Sequence, residues 1–227
     1  MNMPAQLPLV LPHRPALGGS DFLVADANRA AVAWLDAWPD WPSPGLVVWG
    51  ETGCGKTHLA ATWQLRASAV QIAARDLAVA SVPTLLGNAK AIVLEDVDRI
   101  PPEPVAWLHL YNSLAERGGH MLLTARAAPA RWQITLPDLA SRLRALAAVE
   151  IAAPDESLVE AVLVKQFADR QMRVPAETVR YIVTRLDRSL GAVARIAADL
   201  DAASLAGKRP ASIPLAREVL RDAGFAA

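Results

Sequence analysis

A single cysteine, Cys54, leaves this chain of 227 residues no intramolecular disulfide to form, which suits a reducing, cytoplasmic compartment. Charge of one sign is also missing. Lys and Arg number 23 and Asp and Glu number 23, so there is no basic excess of the kind that drives non-specific nucleic-acid binding through counterion release. Apolar runs are short: nowhere do about 18 consecutive apolar residues occur without a charge or proline, and no membrane span is expected. The N-terminal MNMPAQLPLVLPHRP lacks the basic head, long apolar stretch and small-residue cleavage site of a signal peptide. Aromatics are scarce, at 5%, and the scattered tryptophans suit packing better than base stacking. His13, His58, His109 and His120 lack metal-ligand spacing, so no metal beyond magnesium is proposed.

What is present is apolar and ordered in pattern. Hydrophobic residues make up 53% and charged ones 20%, the balance of a globular chain with one main core and room for a satellite. Residues 1–20 carry several prolines and suit an extended tail. Apolar spacing predicts a helix over Asp26 to Trp38, then a buried strand over Leu46 to Trp49. Strands over Val70 to Ala73, Ala91 to Leu94, His120 to Thr124 and Ala148 to Ile151 alternate with helices over Arg75 to Leu86 and Pro104 to Glu116. Crossovers of this length imply a parallel sheet with helices on both faces. From Asp155 onward only helices are expected: Leu158 to Arg170, Ala176 to Leu186, Leu190 to Leu205 and Ile213 to Ala223. The expected organisation is a tail at 1–20, an α/β core at 21–153 and a small all-helical domain at 154–227, with Pro154 and Asp155 as the hinge.

Gly50-Glu-Thr52-Gly53-Cys54-Gly55-Lys56-Thr57 fits Gly-x-x-x-x-Gly-Lys-Thr and follows a strand, the context a phosphate-binding loop requires. Glycines let successive amides point inward, and the helix that follows presents its positive end. Lys56 is placed for the β and γ phosphates and Thr57 for magnesium, with His58 next on the same helix. Cys54 reads either as a thiol acidified by that helix end or as a small residue that fits the loop.

Lys90-Ala-Ile-Val-Leu-Glu95-Asp96-Val-Asp98 is an apolar strand ending in acids, at the sheet edge where ligands bind in α/β folds. Glu95 is assigned to the metal and Asp96 to a hydrolytic water. Thr124 closes the next apolar strand, where it fits a polar sensor of the γ-phosphate or simply a strand cap.

In the order of these motifs the chain resembles the AAA+ module of the replication initiator DnaA and, within that group, the DnaA-related regulators of the Hda family. The resemblance covers nearly the whole chain. It implies a P-loop AAA+ sheet followed by a helical lid, with ADP or ATP and Mg2+ as ligands. Asp21-Phe-Leu23-Val24 then Ala27-Asn28 is similar to the family's adenine pocket, with Leu23 and Val24 around the base. Leu136-Pro-Asp-Leu-Ala-Ser-Arg142-Leu143 is similar to the arginine-finger segment, and Asp187-Arg188-Ser-Leu190 to the start of the lid helix that carries a second sensor arginine. Glu95 stands where Asp is usual, and Ala125-Arg126 follows Thr124 where initiators carry an acid nearby, which puts the chain's own hydrolysis in question.

The same resemblance implies partners. Gln6-Leu7-Pro-Leu9-Val-Leu11 looks like the peptide that bacterial proteins insert into the DNA polymerase III sliding clamp (β subunit), and an extended strand can place alternate leucines in an apolar cleft. A proline-rich tail without that role has the same composition. The chain stops at Ala227, with no room expected for the initiator's helix-turn-helix domain, so sequence-specific DNA binding is not expected. The implied function is a regulator that stimulates hydrolysis of ATP bound to DnaA, with homo-oligomers possible. The alternatives are an autonomous AAA+ ATPase such as a helicase loader, or a truncated initiator.

Overall fold

The protein is described as a computed structural model over residues 13–14 and 22–225. Gln6, Leu7, Leu9 and Leu11 lie outside the described residues. The chain divides into two compact units, one from Arg14 to Ala152 and one from Ala153 onward.

Two-residue strands β1 (His13–Arg14) and β2 (Phe22–Leu23) pair with each other, and the first unit begins at Arg14. There follow α1 (Arg29–Asp36), β3 (Gly45–Trp49), α2 (Lys56–Ala67), β4 (Val70–Gln71), α3 (Val82–Leu86) and β5 (Ala91–Leu94). The unit closes with α4 (Pro104–Glu116), β6 (His120–Ala125), α5 (Pro137–Arg144) and β7 (Ala147–Glu150). The sheet runs β4-β5-β6-β3-β7, parallel throughout. This is the α/β fold that the alternating pattern predicts.

Period-two alternation decides which face each strand residue joins. Leu46, Val48, Ala91, Val93 and Leu122 pack with Leu35 of α1 and Leu59 and Trp63 of α2. Val47, Ile92, Leu94, Met121 and Leu123 pack on the other face with Leu86, Trp107, Leu110, Leu139 and Leu143. Each fully buried Leu or Ile contributes about 1.5–3 kcal/mol relative to exposure. Two apolar layers thus fix the strand ends, and with them the loops at the carboxyl edge.

One predicted helix is not formed as expected. Over Arg75 to Leu86 the chain makes two 3-10 turns, Ala74–Asp76 and Val79–Ser81, before the short α3. The Ser81 hydroxyl accepts from the Ala78 amide at 2.9 Å and donates to the Ala78 carbonyl at 2.8 Å, so it competes for the backbone groups a helix would use. Pro83 restricts a helix start to this point, since it has no N–H and is tolerated only in a first turn. The strand predicted over Val70 to Ala73 ends at Gln71, although the Ile72 amide still donates to Val93 O at 3.0 Å.

The second unit holds α6 (Glu156–Asp169), α7 (Ala176–Val183), α8 (Leu190–Gly207) and α9 (Ile213–Asp222). Val159, Leu163 and Phe167 recur every fourth residue on α6 and meet Ile182, Ile196, Leu200, Leu215 and Leu220 in one apolar core. Asp155 caps α6 by accepting from the Leu158 amide at 2.8 Å, and Ser189 caps α8 by accepting from the Ala192 amide at 3.3 Å. No helix of the described residues is long and apolar enough to cross a membrane.

Candidate nucleotide site

The loop between β3 and α2 is built on glycine. Gly50, Gly53 and Gly55 have φ of 155°, 82° and 110°, where a side chain is strained. A Cβ at Gly50 would also lie 2.3 Å from the Ile151 carbonyl oxygen, because the loop backs directly onto the chain after β7. Nothing but glycine fits there. Helix α2 starts at Lys56 without a side-chain cap, so amides of its first turn are left to an external acceptor. Thr52, Thr57 and His58 are exposed at this end.

Lys56 is buried, and its ammonium donates to the carbonyls of Gly50 and Glu51 at 2.8 Å each. An arriving phosphate must compete with two neutral carbonyls. Those bonds are charged on the donor side alone, and a phosphate, charged on the acceptor side as well, binds the ammonium more strongly. Cys54 is 4% exposed, with its sulfur 3.9 Å from that ammonium. Burial pushes the thiol up, and the pull of Lys56 opposes this without reversing it. Of the two readings of Cys54, the small buried residue holds and the acidified thiol does not.

At the end of β5 the backbone of Asp96 turns into the left-handed region, φ 52°, which costs energy for any residue but glycine. Neighbours hold it there. The Asp96 amide donates to the Thr124 hydroxyl at 3.0 Å, and the Val97 amide donates to the Thr124 carbonyl at 3.0 Å. Thr124 is 1% exposed. The structure therefore brings Asp96 and Thr124 together. It directs Glu95 elsewhere: its Oε1 accepts from the Gln71 side-chain Nε2 at 2.9 Å, and β4 lies on the side of β5 away from β3.

Leu23 and Val24 are half-buried and lead into a turn pinned by Asn28. Asn28 accepts from the Ala25 amide at 2.9 Å and donates to the Leu23 carbonyl at 3.0 Å, while Ala152 N donates to Ala27 O at 3.0 Å. Arg142 lies on α5, where its Nη2 donates to Asp138 Oδ2 at 3.4 Å, its Nε lies 3.4 Å from Asp138 Oδ1 without alignment, and its guanidinium is 5.7 Å from the Tyr111 ring centroid. Burial pushes the Tyr111 phenol up, and Arg142 opposes it. Arg188 is exposed in the second unit, before α8, close enough to help hold the Asp155 carboxyl below its usual value. The larger causes of that shift are the Leu158 amide and the Ser157 hydroxyl.

Residues 155–220 match the family model described as the lid domain of Hda. The fold is similar to domain III of the replication initiation protein DnaA from Thermotoga maritima, at 18% identity and TM-score 0.76, over 88% of this chain and 94% of that one. The chain thus carries a match to the Hda lid domain and has the fold of DnaA domain III. It is also similar to AMPPCP-bound DnaA from Aquifex aeolicus, at 19% identity and TM-score 0.63, over 76% of this chain and 61% of that one. The Holliday junction branch migration motor RuvB of Thermotoga maritima shares the fold at 12% identity and TM-score 0.68, over 86% of this chain and 68% of that one.

Tyr111 and Asp98 were not singled out for a role by sequence, and Asn28 was read only as part of the segment similar to the adenine pocket. Asn28 shapes the Leu23–Ala25 turn, a role that its place in the segment similar to the adenine pocket did not specify. Tyr111 gives Arg142 a place to rest; nothing in the sequence pairs positions so far apart. Asp98, the third acid after β5, accepts from the amides of Arg126 and Ala127 at 2.8 and 3.0 Å.

Proposed function

We propose that this protein is a nucleotide-binding regulator of replication initiation that, with the sliding clamp loaded on DNA, stimulates hydrolysis of ATP bound to DnaA and so prevents re-initiation. The observation that carries this reading is the Hda lid domain at residues 155–220. ADP or ATP occupies the loop from Gly50 to Thr57, its phosphates meeting the open amides of α2 and the Lys56 ammonium. The base lies against Leu23 and Val24, and Arg188 serves as the second sensor arginine. Thr57 and the Glu95 carboxylate offer hard oxygen donors of the kind that suits Mg2+ shared with phosphates, Glu95 would have to release Gln71 to join them, and Asp96 is left to orient a hydrolytic water.

Arg142 is the finger for the partner's site, where a positive charge stabilises the developing charge on the transferring phosphoryl group. The resting pair with Asp138 is solvated, with side chains 39% and 57% exposed. Such i,i+4 pairs hold by only about 0.3–0.5 kcal/mol, so the guanidinium can leave it cheaply. Gln6, Leu7, Leu9 and Leu11 bind the clamp, and the setting is the bacterial cytoplasm. A second reading, hydrolysis of its own ATP, draws on the Asp96–Thr124 contact.

The test is the fate of radiolabelled ATP on DnaA, with and without this protein and the loaded clamp, beside turnover by this protein alone. Hydrolysis that needs both additions, with little turnover alone, is the expected result. Rapid turnover alone with no effect on DnaA favours the second reading. Replacing Gln6, Leu7 and Leu9 together by alanine should remove the clamp dependence and leave nucleotide affinity unchanged.

A further inference from the structure

The second unit carries two arginines that no acid answers. Tyr181 on α7 is half-buried and packs against the core of that unit. The Arg185 guanidinium carbon stands 3.8 Å from its ring centroid, and Arg185 Nη1 donates to the Tyr181 carbonyl at 3.2 Å and to the Thr184 hydroxyl at 3.1 Å. From α9, Arg217 Nε donates to the Tyr181 hydroxyl at 3.2 Å, with its guanidinium carbon 5.9 Å from the same centroid. One ring thus fixes both arginines, and Nε and Nη2 of Arg185 and both Nη atoms of Arg217 are left to donate. Among the described residues neither arginine has an ion pair: Glu218, next to Arg217, is held by Arg209 at 2.9 Å, and Glu177, one turn before Tyr181, pairs with neither. Arg221, one turn after Arg217 on α9, has a solvated pair with Asp222 at 3.5 Å.

We propose that the cluster of Tyr181, Arg185 and Arg217 is a docking site for the phosphate backbone of DNA. A guanidinium already stacked on an aromatic ring loses little further freedom on meeting a phosphate, and its remaining N–H groups form the fork that phosphate oxygens accept. The surroundings favour phosphate over an acidic peptide. Among the described residues of the second unit, the exposed large hydrophobic is Leu205, near the end of α8, an element that carries none of the three. The cluster therefore lacks the apolar anchor around which protein interfaces are built. With one face under Arg185 and the ring packed on the core, Tyr181 has no platform for a base, so the contact positions the backbone and reads no sequence. The chain's overall charge is balanced, which confines the attraction to this patch, where two arginines neutralise about two phosphates. The site belongs to the second unit alone and does not depend on the nucleotide reading.

Fluorescence anisotropy of the full chain with a short labelled DNA duplex, over a range of salt, tests this. In the parent, the logarithm of the association constant should fall against that of salt with a slope of about −2, the release expected for two phosphates. Arg185→Ala combined with Arg217→Ala should weaken low-salt binding about tenfold or more and flatten the slope toward zero. Arg75→Ala combined with Arg173→Ala removes the same charge from exposed positions outside the cluster and should bind as the parent does. Tyr181→Leu keeps both charges, takes away the ring that aligns them, and should weaken binding severalfold. A parent that does not bind at low salt overturns the proposal. An equal loss in the two double variants overturns it as well, since net charge would then be the cause, and so does unchanged binding in Tyr181→Leu. Poly-glutamate that displaces the duplex at equal charge concentration would assign the cluster to an acidic peptide and overturn it too. Should the double variant fail to fold, Arg217→Ala replaces it, its one hydrogen bond being to the Tyr181 hydroxyl. A slope flatter by about one supports the proposal there, and an unchanged slope contradicts it.

Discussion

The two units of this protein bury different things. In the first, Asn28, Lys56 and Thr124 are polar side chains taken out of water, and all three hold backbone around the candidate site. In the second, Thr178 is the buried polar residue among the described ones, and the rest of the interior is hydrocarbon from four helices. Buried polar groups are costly unless paired, so a fold keeps them where the pairing positions something. The first unit has given up some packing economy to aim chemistry at a sheet edge. The second is held by apolar packing and by capped helix ends.

The comparison breaks most visibly through the lid core. Leu200 is fully buried on α8, and Leu200→Ala should cost about 2–5 kcal/mol through lost burial and the cavity left behind. Urea denaturation reads it. In the first unit, Lys56→Ala should weaken ADP and ATP binding by about a hundredfold, the scale of two charge-assisted bonds to phosphate. Calorimetry checks that, and the urea midpoint should move less than in Leu200→Ala. A Lys56→Ala protein that keeps its nucleotide affinity but loses as much stability as Leu200→Ala would erase the distinction between the units.

The smallest effect sharpens it. Asp155→Ala removes the α6 cap and should cost about 1 kcal/mol. The Asp155 carboxyl is held below its ordinary value, first by the Leu158 amide and then by the Ser157 hydroxyl. Its folded pKa therefore lies below its unfolded one, so its contribution is complete above the unfolded value and is lost as pH falls through the folded value. Denaturation near pH 7 and near pH 3 should show the parent and Asp155→Ala converging at the lower pH. A constant difference at both would mean the cap does not act through its charge.

Much of this was readable in advance, for physical reasons. The loop from Gly50 to Thr57 is fixed by local chemistry, since its glycines are required wherever the backbone takes positive φ. The parallel sheet follows from apolar runs separated by crossovers, and the lid from residues such as Val159, Leu163 and Phe167 recurring at helical spacing. Segment 75–86 misled because Leu77, Val82 and Leu86 are buried as a helix face would be, while Ser81 and Pro83 decide the backbone. The Asp98 contacts and the resting place of Arg142 on Tyr111 were not legible. They join residues that meet only through the order of the strands and the packing of α4 against α5, and no local pattern encodes that.

The central claim is that this chain acts on another protein's nucleotide through Arg142. Single-turnover hydrolysis of ATP preloaded on DnaA, with loaded clamp and either the parent or Arg142→Ala, tests it most directly, with ADP affinity measured on the same preparations. The account predicts that Arg142→Ala binds ADP as the parent does yet loses stimulation by about a thousandfold, the scale of a missing finger in related phosphoryl transfers. Equal stimulation by the two proteins would contradict it.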